Sequence, residues 1–475
     1  MQHLFFLGYI GYLLLIISIV FFDRKKPMQR FGWLLLLTFL PVVGLVLYAF
    51  VGSERFMHYR QERIRTRHEK ILQALEKLVY PVKDGVHAGT ASKPLVFHKY
   101  YCDSVLTADN KVEMMTTGAA KYDRLFQDLR DAERHIHVQY FTIHNDPVGR
   151  EFIDILMGKA AQGVEVKLLY DGIGCLVSYV FPLFRALREA GGKVAVIRPR
   201  LLDLNYRNHR KLVIIDGQVG YTGGMNIGAK YRFGVEGRAW RDTHLRLTGS
   251  GVHYLQQVFL FDWVISMRGD TIGLRYPLQE YFPRPQLSGT LALQVVANEL
   301  YNKFRNDDTI ILGYFTIMAR AQRRLWIQTP YFAPSDMILQ TLKALAVAGV
   351  DVRIVTSDSY SGGGLFHRSI TNYFLRYLVD SGVRVFRYDG IMHAKTLLVD
   401  DQGAAIGSVN LNARSLERDD ELYVYSESPQ FVSQHVQILR SDFGRCTEMD
   451  YHQFAQQSLG SRVAESVLSF FSPLS

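Results

Sequence analysis

Residues 208–226 read NHRKLVIIDGQVGYTGGMN, and residues 392–410 read MHAKTLLVDDQGAAIGSVN. His209, Lys211, Asp216, Gly223 and Asn226 of the first stretch recur as His393, Lys395, Asp400, Gly407 and Asn410 of the second, each 184 positions on. Gly224 is matched by Ser408. At roughly 5 % average usage per residue type, five identities in register are not a chance event. The chain carries a duplication, and its remaining sequence brings the two copies to each other or to a substrate.

Each stretch is apolar, rich in Val, Ile and Leu, and ends in Asp-Gly or Asp-Asp-Gln-Gly turn chemistry, so each is expected to be a strand entering a turn. Side chains alternate along a strand. His209 therefore shares a face with Lys211, and His393 with Lys395, whereas Asp216 and Asp400 have the opposite parity. The candidate catalytic set is His209, Lys211, Asp216, His393, Lys395 and Asp400. Within it the two Asp are read as fixing the turn rather than as bases.

The chain has 475 residues, enough for two or three domains, and 48 % of them are hydrophobic. A net charge of +10 suits nucleic acid or an anionic lipid surface, and composition does not choose between them. Cys102, Cys175 and Cys446 are far apart and odd in number, which gives neither a disulfide framework nor metal-ligand spacing. They are read as reduced thiols facing the cytoplasm.

Two apolar runs, about 4–22 and 31–51, are each long enough to span a bilayer. The first lacks the basic start and cleavage site of a signal peptide, and a second run follows at once, so residues 1–54 are expected to form a transmembrane hairpin. Arg24, Lys25, Lys26 and Arg30 lie between the runs, against Arg55, Arg60, Arg63, Arg65, Arg67 and Lys70 after them. That balance places both ends and the main body on the cytoplasmic side of the cell membrane. Residues 55–91 are a basic juxtamembrane helix and linker. The helix either lies along headgroups or is a solvated connector.

The body reads as two lobes, 92–275 and 291–455, joined by the Pro- and aromatic-rich linker 276–290. Residues 92–118 read as short strands and turns. HIHVQYFTI (135–143) and GVEVKLLY (163–170) are expected strands flanking a helix. The apolar loop GIGCLVSYVFPLF (172–184), a helix and a further strand precede the first motif. The second half repeats this order with LWIQTPYF (325–332), GVDVRIV (349–355) and the loop SYSGGGLF (359–366). Alternating strands and helices imply an α/β protein of two homologous lobes related by a pseudo-twofold axis, with a largely parallel or mixed sheet. The tail from Phe431 reads as helices. Residues 456–475 form an amphipathic end that either caps the core or touches the bilayer.

Two His and two Lys meeting at a lobe interface make a cationic pocket for a tetrahedral anion. Asn226, Asn410 and the Ser408 hydroxyl are candidate phosphate donors, and Gly223, Gly224 and Gly407 let the backbone approach. A neutral imidazole can attack phosphorus while a protonated one serves the leaving alcohol. No Cys/His/Asp cluster has metal spacing, so neither metal nor cofactor is expected.

The motif pair resembles the duplicated His-x-Lys-x4-Asp signature of the phospholipase D superfamily. There an acidic residue downstream of each motif holds the imidazole. Asp242, in Trp240-Arg241-Asp242, and Glu421, before LYVYS, stand at the matching positions. The N-terminal apolar hairpin, the apolar loops, TPYFAPSD at 329–336 and the SPLS ending are similar to the bacterial cardiolipin synthases of that superfamily. One departure is Asn298-Glu299, where a small, Gly-containing turn is expected. The resemblance implies phosphatidyl transfer between two phosphatidylglycerol molecules through a phosphohistidine, with His209 as nucleophile and His393 as acid/base. It implies a bilayer as partner and no nucleic acid, and it leaves oligomeric state open. The rivals are a hydrolytic phospholipase D, a membrane-tethered nuclease and a silent lipid-binding scaffold.

Overall fold

The computed structural model describes residues 2–22, 27–48, 66, 69–70, 73–75, 91–197, 206–267, 273–285, 289–298, 308–357, 364–450, 457–470 and 472. The first lobe contributes β1 (Thr107–Met115), β2 (His135–Tyr140), β3 (Glu165–Asp171), β4 (Lys193–Ile197), β5 (Leu212–Ile215), β6 (Val219–Gly223), β7 (Trp240–Arg241) and β8 (His244–Thr248). The second contributes β9 (Leu291–Ala297), β10 (Arg324–Gln328), β11 (Phe332–Ala333), β12 (Asp351–Ser357), β13 (Arg384–Tyr388), β14 (Ile391–Met392), β15 (Thr396–Val399), β16 (Gly403–Gly407), β17 (Leu411–Asn412), β18 (Leu422–Ser426) and β19 (Cys446–Met449).

Fifteen of these strands form one sheet, in the order β19-β13-β12-β10-β15-β16-β18-β9-β1-β8-β6-β5-β2-β3-β4. Read outward from its middle, β1-β8-β6-β5-β2-β3-β4 mirrors β9-β18-β16-β15-β10-β12-β13. The central pair β1 and β9 is antiparallel, as a twofold axis through the sheet demands. Only β2-β3-β4 and β10-β12-β13 run parallel, so the sheet is mixed rather than largely parallel. The parallel strands are covered on both faces, which is why HIHVQY and EVKLLYD are buried throughout.

Strand parity sorts the core. Leu212, Ile214, Leu398 and Ile406 point to an apolar layer that runs unbroken across both lobes beneath the helices Gly251–Ser266 and Pro429–Phe443. Val213 and Ile215 point to a separate layer in the first lobe, and Leu397 and Val399 to its counterpart in the second. Lys211 and Lys395 share parity with these outer layers.

Several expectations need correction. Residues 93–101 form a helix rather than strands, started by Pro94 and capped by Ser92. That helix belongs with the second lobe: His98 Nδ1 lies 3.0 Å from Gln294 Oε1, and Tyr423 Oη lies 2.9 Å from His98 Nε2. The tail contains an edge strand, β19, paired with β13. The second apolar run is two helices, Pro27–Phe39 and Pro41–Leu47, because Pro41 has no N–H to continue the first. Among the described residues no helix is long and apolar enough to cross a membrane. The helix Gln2–Phe22 covers the first expected span, 4–22, and residues 49–51 of the second, 31–51, lie outside the described residues, so the transmembrane hairpin is not confirmed. Most of the basic segment 55–91, and five of the eight residues of the loop 359–366, lie outside the described residues.

Candidate active site

Each His-x-Lys stretch enters its strand beside the acidic stretch of the other lobe. The His209 N–H donates to Asp420 O at 2.9 Å, and Asn208 bridges Asp420 as a parallel neighbour. The symmetric contact is β14 against β7, with the His393 N–H donating to Arg241 O at 2.7 Å. The carboxylates are thereby exchanged. His209 Nδ1 faces Glu421 Oε1 at 2.9 Å, and His393 Nδ1 faces Asp242 Oδ2 at 2.5 Å. Neither imidazole uses the acid that follows it in its own half. With Nδ1 held by a carboxylate, Nε2 is left as the reacting nitrogen. The rings remain reachable, with side chains 12 % and 9 % exposed, whereas both acids are fully buried.

The two lysines close the site. Lys211 Nζ donates to His209 O, and Lys395 Nζ donates to His393 O and lies 2.9 Å from His393 Nδ1. The Lys395 charge acts on His209 and the Lys211 charge on His393, so the four groups form one cationic centre. Burial pushes His209 below the usual imidazole range, against the pull of Glu421. Burial and Lys395 push His393 down to about 3. Burial opposes ionisation of Asp242 and Glu421, but the adjacent cations outweigh it and hold both below the usual carboxylate range. Burial lowers Lys211 to about 7 and Lys395 to about 8. Both ammonium groups are charged below these values and lose charge above them. We expect kcat/KM for an anionic substrate to fall as pH rises through 7 to 8, while kcat holds to higher pH because bound phosphate favours the ammonium forms. A pH–rate profile of both constants checks this.

Asp216 and Asp400 lie at the far end of β5 and β15. Asp216, at φ 54, accepts from the N–H groups of Glu133, Arg134 and His135, each at 2.8 Å. Asp400, at φ 51, accepts from those of Gln322, Arg323 and Arg324 at 2.8 to 3.0 Å. Each carboxylate pins its hairpin to the start of β2 or β10. Both stand in the candidate catalytic set as turn-fixing residues rather than bases, and these backbone contacts fit that reading. Asp400→Ala should cost on the order of 3 kcal/mol, measured by denaturant unfolding, because three N–H groups lose their acceptor.

The supporting residues also differ from expectation. The Ser408 hydroxyl donates to Glu421 Oε2, so it fixes the acid instead of being spare for phosphate. A Cβ on Gly224 would stand 2.0 Å from Asp242 Oδ1, and one on Gly407 2.2 Å from Leu422 O. Gly223, at φ 147, abuts His244 and Thr243 O. These glycines make room for an acid and for neighbouring strands. Asn226 accepts from Thr142 N and donates to Tyr231 Oη at 3.0 Å. Asn410 is buried, and its Oδ1 has no partner among the described residues.

Beneath the site lies a paired support that the sequence reading missed. Gln139 donates to Asp262 at 2.6 Å and Gln328 to Asp442 at 2.7 Å, and each Asp also holds a buried guanidinium, Arg210 or Arg241. The signal was present: the two Gln stand at equivalent positions near the ends of matching strands, in HVQYF and WIQTPYF. Asn298, singled out as a departure, braces the acid. Its Oδ1 accepts from Glu421 N–H at 2.7 Å, its Nδ2 donates to Asp419 O at 2.6 Å, and its carbonyl accepts from Arg210. Asn298→Ala should lower kcat roughly tenfold with KM little changed, the loss of one buried hydrogen bond that aims Glu421. Steady-state kinetics tests this.

Comparison with known proteins places the chain. A family model described as "Cardiolipin synthase, PLD-like domain" matches residues 125–232 and 314–443, one match per lobe. A "Phospholipase_D-nuclease N-terminal" model matches residues 10–53. The major cardiolipin synthase ClsA of Bacillus subtilis is 32% identical over 97% of this chain and 97% of its own length. A cardiolipin synthase of Staphylococcus aureus is 32% identical over 100% of this chain and 97% of its own. Among solved structures, phosphatidylserine synthase of Haemophilus influenzae superposes with a TM-score of 0.58 at 16% identity, covering 76% of this chain and 93% of its own, a likeness of fold.

Proposed function

The chain belongs to the cardiolipin synthases of the phospholipase D-like family, and we propose that it joins two phosphatidylglycerol molecules into cardiolipin and glycerol through a phosphohistidine. The observation that carries this reading is the crossed pair of imidazole–carboxylate contacts, which supplies a nucleophile and an acid/base at one cationic centre.

His209 Nε2 attacks phosphorus of the first phosphatidylglycerol, and the P–O bond to its headgroup glycerol breaks. His393 gives that glycerol its proton. The arriving phosphodiester anion counters the Lys211 and Lys395 charges that suppress the imidazolium, and the short Asp242 contact then favours it. In the second step His393 takes the proton of a hydroxyl on the second phosphatidylglycerol. That oxygen displaces His209 from phosphorus and gives cardiolipin. The lysines hold the phosphoryl oxygens throughout.

The apolar helix Gln2–Phe22 and its two shorter successors support an N-terminal hairpin seated in the cell membrane, and the surplus of Arg and Lys after the hairpin over those within it supports a body on the cytoplasmic side. Labelled phosphatidylglycerol tests the reaction. Cardiolipin plus glycerol is expected; phosphatidic acid plus glycerol would replace transfer by hydrolysis. Turnover should persist in excess chelator, since no step as drawn needs a metal, and loss restored only by added metal would refute the scheme.

A further inference from the structure

The helix Leu459–Ser469 is mounted inside out. Glu465 is 2 % exposed and holds Arg376 and Asn372 of the helix Gly364–Val379, the Asn372 contact at 3.3 Å. Arg376 also holds Gln457. On the opposite face Leu459, Val463, Val467 and Phe470 follow one another at helical spacing and are 76 %, 54 %, 51 % and 83 % exposed. A helix folding against a water-soluble body buries its apolar stripe. This one buries its carboxylate and presents the stripe.

Its position tells what covers that stripe. Gln457 and Glu465 contact Arg376 and Asn372 in reverse order, so the two helices run antiparallel. Phe470 therefore points toward the start of the Gly364–Val379 helix, where the His367 ring lies 4.9 Å from that of Tyr331, just past β10. This is the end of the sheet that carries the imidazoles. Leu365 and Arg368 are exposed there, and Arg462, next to Val463, is exposed beside the stripe. On the first lobe, Val177 and Tyr179 are nearly four-fifths exposed in the turn that follows β3, whose Asp171 accepts from Asn208 beside His209. Four side chains on one helix fall well short of the roughly 800 Å² per partner that a stable dimer needs.

We propose that the Leu459–Ser469 helix lies on an anionic bilayer with its apolar stripe inserted, setting the reactive end of the sheet against the lipid surface. The occupant rests on the phosphatidyl-transfer reading, but its position can be read without turnover.

The full chain, with Cys446→Ser and a single Val467→Cys carrying an environment-sensitive dye, is mixed with vesicles of equal parts phosphatidylcholine and phosphatidylglycerol. Spin labels on the acyl chains should quench the dye. A dye at Val347→Cys, at the opposite end of the sheet, should stay unquenched. An unquenched dye at 467, or a spectral change that follows protein concentration without lipid, overturns the proposal; the latter would mark a self-association surface. A V463Q/V467Q/F470S variant should raise KM for vesicle phosphatidylglycerol at least about tenfold. It should leave turnover of monomeric short-chain phosphatidylglycerol unchanged, and equal loss on both substrates would also overturn it. Quenching without cardiolipin formation would sink the reaction assigned above and spare the docking surface.

Discussion

His209→Ala is expected to form no phosphoenzyme and no cardiolipin, because the attack on phosphorus is assigned to His209 and His393 is assigned the proton transfer. Loss should exceed the roughly 10²–10⁴-fold that a proton-transfer group supplies. His393→Ala separates the two roles. With phosphatidylglycerol it should fall by about 10²–10⁴-fold, since glycerol must leave unprotonated. With a phosphatidyl ester of a nitrophenol, whose leaving group needs no proton, the first step should recover and the second should stay blocked. An acid-labile phosphohistidine should then accumulate on His209, located by peptide mapping at alkaline pH. A label on His393 in the parent enzyme would reverse the assignment.

Glu421→Gln and Asp242→Asn should each lower kcat on the order of 10²-fold, and each should mark the histidine of the other half. Glu421 raises the affinity of His209 for a proton and Asp242 that of His393. Removing Glu421 should therefore drop the His209 pKa further and leave the bond His393 makes with Asp242 in place. Asp242→Asn should do the converse. Histidine NMR on isotope-labelled protein reads the two rings separately. If Glu421→Gln instead disturbs His393, the crossed pairing is wrong and each half carries its own dyad.

Each half has a buried structural cost built into the same design. Asn298 and Ser408 both spend hydrogen bonds on Glu421, while Gly224 gives up a side chain so that Asp242 can fit. An alanine at 224 would drive its Cβ into the Asp242 carboxylate. The two acids are thus held by unlike means in halves that match over seven strands each of the shared sheet.

Much of this molecule is readable in one dimension. The repeat at a spacing of 184 residues announces two lobes and names both His-x-Lys pairs. Strand parity separates His209 and Lys211 from Asp216, and the positive φ at Asp216 and Asp400 agrees with turns. Those features are local: they depend on alternation, turn chemistry and composition within a few residues. Local pattern misled where context overrides it, as in residues 93–101, whose helix rests on contacts with Gln294 and Tyr423 nearly two hundred and more residues away. The partnership of His209 with Glu421, and of His393 with Asp242, has no local trace. It arises because β1 and β9 join the halves about a twofold axis, which sets the end of each motif strand beside the acidic stretch of its twin. The residue types that do chemistry are written along the chain, but which acid serves which imidazole is a property of how two similar halves pack, since a duplicated sequence offers each histidine two equivalent acids and only distance chooses between them.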